Sequence, residues 1–362
     1  MAVTSEQFER AQERLSRRAV LANAGRVALG AAAAGPLGGW LAACGEASSS
    51  STTARVTSPS VPPTTAAAPE PTPAPTPDSR PVTLVITGDI MLGREVNAQM
   101  LASTDRFPFN GTADYLRGFD LTVGNLECVV STLGQPVPNK TYHFRGDPRG
   151  FSRLTDAGFD IVSLANNHSG DYGTDAFADM LARLPEHGIA PLGGGLTLAD
   201  AHAPVIKTVR TTAVGFLGYC EIAPSSFAAT PTSPGQAWLV PALMQSDIAA
   251  LRRRVNYLIV FTHWGIEYQH AQSGHQQAMA RLAIDAGADL VVGAHPHVIQ
   301  PDELYRGKPI VYSLGNFVFD GMWPDDTRRG NVLTLTLQGS QLLGWKLRQS
   351  YITGNFGQPQ WV

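Results

Sequence analysis

From residue 82 onward the chain alternates two textures, short continuous apolar runs and stretches in which apolar residues return every three or four positions. Val82–Gly88, Leu121–Asn125, Ile161–Ala165, Ala213–Tyr219, Tyr257–Thr262 and Leu290–Ala294 are of the first kind. Runs of this length, bounded by glycine and polar residues, predict strands buried on both faces. Gly150–Ala157, Ala176–His187, Asp247–Val255 and His275–Ala286 are of the second kind and predict helices. Strands alternating with helices argue for an α/β domain around a mainly buried sheet. The last part differs: Lys308–Val318, Val332–Leu337 and Gly344–Ile352 are strand-like and joined by tight turns, one at Gly339–Ser340, which predicts an antiparallel portion. With no fixed-period repeat and no second linker, residues 82–352 are expected as one domain and 353–362 as a C-terminal tail.

Ahead of that domain the pattern is of another kind. Arg17–Arg18 precede Val27 to Ala43, an uncharged Ala/Gly-rich stretch that ends in Leu41–Ala42–Ala43–Cys44–Gly45. Residues 1–43 therefore read as a twin-arginine export signal peptide ending in a lipobox, with Cys44 as the lipidated residue. The competing reading, a membrane anchor, is disfavoured because four glycines and Pro36 interrupt the stretch. Residues 44–81 read as a tether, since Gly45 to Pro81 holds nine prolines and no Leu, Ile, Phe, Tyr or Trp with which to bury surface. The expected location is the outer face of the cytoplasmic membrane, held there by lipid.

Composition narrows the function. The net charge is −3 over 362 residues, and five arginines against three glutamates in the first 43 leave −5 on the remainder. Such a chain offers little attraction to nucleic acid. Three scattered cysteines, Cys44, Cys128 and Cys220, exclude a disulfide scaffold and a cysteine-based zinc site, and leave open a single Cys128–Cys220 bridge.

The chemistry collects where the apolar runs stop. Val82–Gly88 runs into Asp89, Leu121–Gly124 into Asn125 and Glu127, and Ile161–Ala165 into Asn166, Asn167 and His168. Tyr257–Thr262 stops at His263, and Leu290–Ala294 at His295–Pro296–His297, where the proline bends the path so that each imidazole can serve a separate centre. Carboxylates and imidazoles at the edge of a core must be hydrogen-bonded, paired or metal-bound. Five such strand ends describe one site lined with oxygen and nitrogen donors, suited to a divalent transition metal, Mn, Fe or Zn. Near it, Asp171 is placed to orient His168 through the second ring nitrogen. Arg94 is a candidate for gripping phosphate or carboxylate. Lys140 to Arg145, with a cation at each end, reads as a solvated turn or a loop that contacts an anionic substrate, with Arg145 as the candidate contact. Glu267 and Asn316 either line the site or make hydrogen bonds that close the fold.

Gly88–Asp89–Ile90–Met91–Leu92–Gly93–Arg94, Gly124–Asn125–Leu126–Glu127, Ala165–Asn166–Asn167–His168, His263–Trp264–Gly265–Ile266–Glu267, Gly293–Ala294–His295–Pro296–His297 and Ser313–Leu314–Gly315–Asn316–Phe317 resemble, in order and spacing, the poly-γ-glutamate capsule biosynthesis CapA family. The resemblance implies a calcineurin-like metallophosphatase fold, a central β-sandwich flanked by helices, with one or two metal ions. It implies Asp89 and His297 on a first metal, Asn167, His263 and His295 on a second, Glu127 with or without Asn125 as the bridge, and His168 as the group acting on the leaving oxygen. Two positions depart from the metallophosphatase pattern: Met91 stands where a histidine is usual, and Asn125 and Glu127 replace a pair of aspartates. Two functions stay open. One is a metal-dependent phosphoesterase-like hydrolase acting on or around an anionic surface polymer or phosphoester. The other is a non-catalytic metal-binding subunit that assists the membrane partners of a polymer synthase.

Overall fold

The computed structural model describes residues 78–222, 224–321 and 324–362. The expected signal peptide, Cys44 and nearly all of the tether lie outside these residues. No helix among the described residues is long and apolar enough to cross a membrane.

The strands form two large sheets. In the first, the order is Gln358–Trp361, Gln341–Thr353, Arg329–Gln338, Val82–Ile90, Leu121–Leu126, Ile161–Ser163 and Ala190–Leu192, with Asn316–Val318 also paired to Val82–Ile90. In the second it is Asp302–Tyr305, Lys308–Val311, Leu290–Ala294, Tyr257–His263, Thr212–Cys220 and Val205–Val209. The alternation of side chains along a strand sends the apolar residues of the central strands to both faces of each sheet. Val82, Leu84 and Ile86 share one apolar cluster with Phe216, Ile259, Phe261, Leu290 and Val292, so this cluster lies between the sheets. The intervening Val85 faces the opposite way, into a cluster with Phe151 and Leu154 of helix Arg149–Ala157 and Phe177 and Met180 of helix Gly173–Glu186. Leu258, Val260 and Val291 likewise pack against Met244 and Ile248 of helix Pro241–Arg252 and Ala280 and Ala283 of helix Gly274–Ala286. The result is the expected sandwich flanked by helices. Burial of each such aliphatic side chain contributes about 1.5–3 kcal/mol.

The parallel core strands agree with the sequence pattern to within a few residues at their ends. Two terminal expectations do not hold. The run Lys308–Val318 is not one strand: Lys308–Val311 runs parallel to Leu290–Ala294 in the second sheet, whereas Asn316–Val318 runs parallel to Val82–Ile90 in the first. The chain changes sheets through Gly315, whose φ of 69° suits the bend. The C-terminal tail is also not a tail throughout, because Gln358–Trp361 adds an antiparallel strand against Gln341–Thr353. Trp361 there packs edge-on to Tyr115 at 4.6 Å. Cys128 and Cys220 are both buried and free, which removes the bridge left open above.

Candidate metal centre

Parallel pairing places the carboxyl ends of the core strands along one edge of each sheet, and the two edges meet. Asp89 lies in register with Asn125 on adjacent strands, and His263 in register with Ala294, one residue before His295. Glu127 follows directly, its N–H donating to the Ile90 carbonyl at 2.8 Å. The first sheet thus contributes Asp89, Asn125, Glu127 and the Asn166–His168 turn, and the second contributes His263, His295 and His297.

Their donor atoms gather into two wholly buried sets. Glu127, His263 and His295 offer one ligand atom each within 4.8 Å of one another, and so do Asp89, Glu127 and His297. Glu127 is common to both. Asn167 Oδ1 lies 2.7 Å from His263 Nε2, beside the first of these sets. Asn125 donates to Asp89 Oδ1 at 2.8 Å and lies 3.3 Å from His263 Nδ1, so it joins the two sheets, while Asn166 braces Asn125 through its own amide at 3.1 Å. His295 and His297 adopt left-handed backbone with φ of 96° and 58°. Two such residues around one proline carry local strain, which persists only where the surroundings enforce it.

Electrostatics fit this cavity to cations. Both oxygens of Glu127 are buried without a hydrogen-bond partner, and so is Nδ1 of His295. A buried carboxylate left bare costs several kcal/mol. Burial, and then the charge of Asp89, push the Glu127 carboxyl well above its usual range. Burial opposes a charge on His297, but Glu127, Asp89 and Asn316 outweigh it and raise this imidazole to about 9. The carboxylates are thus drawing positive charge toward themselves. Burial holds His263 and His295 well below their ordinary value, with the neighbouring histidines adding to the effect, which keeps both in the neutral form that binds metal. The buried His, Asp and Glu cluster therefore has the make-up of a divalent metal site.

His168 stands beside it, with Nδ1 2.7 Å from Asp171 Oδ2 and its ring stacked on Phe144 at 3.9 Å. Burial lowers its pKa to about 4 against the pull of Asp171. The depression has a consequence for stability. Above pH 6.5 the imidazole is neutral in both folded and unfolded chains. Between 6.5 and 4 the unfolded chain takes up a proton that the folded chain refuses, so stability is lost as the pH falls, by on the order of 3 kcal/mol. Urea unfolding at pH 7 and pH 4.5 should show wild type losing about 2–3 kcal/mol more than His168→Asn. Equal losses contradict this.

The other expected site residues divide. Asn316 Oδ1 lies 2.9 Å from His297 Nδ1, and its amide donates to the Thr327 carbonyl at 2.9 Å, so it orients His297. Arg94 is engaged by the protein itself: its guanidinium pairs with Asp320 Oδ1 at 2.6 Å and lies 4.7 Å above the Phe144 ring. With Asp320 and Arg328 it lines a separate cavity of about 320 Å³. Arg145 is likewise taken, donating to the carbonyls of Leu133 and Gly134 and stacking 3.6 Å over Tyr172. The cation that does reach the site is Lys140, at the other end of the same segment. Its ammonium pairs with Asp171, donates to the Asn167 carbonyl and lies 3.4 Å from His168 Nδ1. The pattern of cations signalled this segment, but only the path of the loop decides which end turns inward. Glu267 is exposed, at the mouth of the cluster.

Comparison with known proteins bears on these observations. Residues 83–321 match the family described as bacterial capsule synthesis protein PGA_cap. The chain belongs to that family. The Capsule biosynthesis protein CapA of Bacillus anthracis is 32% identical over 253 residues, covering 68% of this chain and 62% of that protein. The PGA biosynthesis protein CapA of Bacillus subtilis is 33% identical over 238 residues, covering 65% and 63%. The match thus spans less than two thirds of the length of either relative. Among solved structures, a putative 5'-nucleotidase from Staphylococcus aureus in complex with alpha-ketoglutarate superposes with a TM-score of 0.49 at 15% identity, over 74% of this chain and 54% of that one. In this PGA_cap member the matched region contains every donor of the two metal sets.

Proposed function

We propose that this protein is a metal-dependent phosphoesterase-like hydrolase that works in the synthesis or export of a poly-γ-glutamate-type capsule polymer. In this reading it is held at the outer face of the cytoplasmic membrane by lipid on Cys44, beside the membrane subunits of a polymer synthase. Its substrate is a phosphoester or an anionic surface polymer rather than nucleic acid. The observation that carries the chemistry is Glu127, a buried carboxylate with neither oxygen hydrogen-bonded, standing between two donor sets.

Asp89 and His297 would hold one ion, Asn167, His263 and His295 the other, and Glu127 both, with Mn, Fe or Zn the fitting elements. Ions so held supply Lewis-acid polarisation of a phosphoryl oxygen. The proton is the business of His168. With Nδ1 engaged by Asp171, Nε2 is the nitrogen left for a substrate. A phosphoryl anion arriving beside it favours the protonated imidazole, which then passes its proton to the departing oxygen. Lys140 and Asp171 hold the ring in that orientation.

A second reading, a metal-binding accessory subunit without turnover, draws support from Met91. Its side chain is buried in the apolar cluster under the first sheet, and its sulfur accepts from the Gly93 N–H at 3.0 Å, so the first metal lacks the imidazole that the fold usually provides. Hydrolysis of bis(p-nitrophenyl) phosphate by metal-reconstituted protein separates the two. A hydrolase should lose roughly 10²–10⁴-fold in turnover in His168→Ala with its metal content unchanged. Wild type that holds its ions and turns nothing over is the accessory subunit.

A further inference from the structure

The first metal set has three donors, Asp89, Glu127 and His297, and Met91 leaves it one short of a tetrahedral shell. We infer that Glu267 supplies the missing ligand. This inference rests on the metal-centre reading above and adds to it a residue that the metallophosphatase pattern does not provide.

Three observations carry it. Glu267 offers a carboxylate oxygen within 4.8 Å of ligand nitrogens of both His295 and His297. Glu127, a member of that first set, is fully buried with no hydrogen bond to either carboxylate oxygen. A fold-closing role for Glu267 finds no support, since among the described residues its carboxylate makes no hydrogen bond or ion pair. Its loop is strapped to the segment that carries the two histidines. On one side of Glu267 the Trp264 N–H donates to the Ala294 carbonyl at 3.2 Å, and on the other the Tyr268 N–H donates to the Pro296 carbonyl at 2.8 Å. Positive φ at Gly265 and Tyr268, 86° and 64°, folds the loop back over the histidines. Atoms bound to one ion at ~2.1 Å stand no more than about 4.2 Å apart, so Glu267 must shift toward Asp89 and Glu127 for the four to share an ion, a movement open to an exposed side chain.

The exchange alters the character of the centre. Glu267 in place of an imidazole makes the first site three carboxylates and one histidine, while the second keeps Glu127, Asn167, His263 and His295. Oxygen-rich shells suit harder ions, so the first site favours Mn²⁺ over Zn²⁺ relative to the second.

Isothermal titration of metal-stripped protein with Mn²⁺, followed by electron paramagnetic resonance, tests this without recourse to turnover. Wild type should take up two ions with a spin-coupled signal. Glu267→Ala should lose the weaker ion, by ~100-fold or more in affinity, and with it the coupling. Asp89→Asn should lose the same ion, and in the double variant nothing further should be lost. Met91→His placed on Glu267→Ala should restore the second equivalent if the variant folds. Two ions bound by Glu267→Ala at wild-type affinity would overturn the assignment and leave the metal centre standing, and so would a wild type that binds one ion only. A wild type that binds none would remove the centre and the assignment together.

Discussion

Replacing Glu127 with glutamine is expected to abolish metal binding at both buried donor sets at once. No other side chain belongs to both buried donor sets, and an amide has neither the charge nor the second equivalent oxygen with which to join two cations. The effect should be plain in thermal unfolding, which needs no knowledge of the substrate. An ion present at 100 times its dissociation constant stabilises the wild type by about 2.7 kcal/mol. For a domain of this size that raises the melting temperature by roughly 5–10 °C. Glu127→Gln should show no metal-dependent shift, and its turnover, where wild type has any, should fall to background. In the absence of added metal its stability should stay within about 1–3 kcal/mol of wild type, because the variant keeps a buried polar group of the same shape and loses only the charge facing His263 and His297. A full metal-induced shift in the variant would show that Glu127 is not the bridge.

The second large effect is expected at Gly88, one residue before Asp89. A β-carbon at this position would stand 1.9 Å from the carbonyl oxygen of Gly315. That oxygen accepts from the Asp89 N–H at 3.1 Å, and both chains lie in the centre of the first sheet, so neither yields cheaply. Gly88→Ala should therefore destabilise by about 3 kcal/mol or more. It should also weaken metal binding at the Asp89 side, since Asp89 and Asn316 are neighbours across this contact. Gly344→Ala is the control: a β-carbon there meets nothing within 4 Å, and the change should stay within ~0.5 kcal/mol. Urea midpoints of the two variants give the comparison, and similar midpoints would mean that the sheet opens at Gly88 more easily than its packing implies.

Much of this molecule is written in its apolar runs, for a physical reason. Strands buried on both faces need unbroken hydrophobic residues, so Tyr257–His263 and Leu290–Ala294 stand out against everything around them. Where such a run meets Asp, Asn or His, the polar residue lies at a strand end, which is why the members of the buried His, Asp and Glu cluster are legible there. Three things could not be read this way. The run Lys308–Val318 is apolar on both sides of its bend, and continuity of hydrophobicity does not reveal that the chain passes from one sheet to the other at Gly315. Gln358–Trp361 is polar enough to resemble a tail, and it is a strand only because an edge is open beside it. The cations Arg94, Lys140 and Arg145 differ in function through the routes of their loops: two are spent on Asp320 and on backbone carbonyls, and only Lys140 turns in to Asp171. Charge in a sequence marks where a cation is, whereas its partner is settled by tertiary approach.

The division of the donors between two sheets has a bearing on biosynthesis. Asp89 and His297 are separated by more than half of the chain, and Glu127 meets His263 and His295 only once the second sheet has closed on the first. A partly synthesised or half-docked chain has no place for either ion to settle. Under the proposed function, uptake of metal would therefore report that assembly is complete, and a cell that exported this protein only after it had taken up metal would by the same act be inspecting its folding.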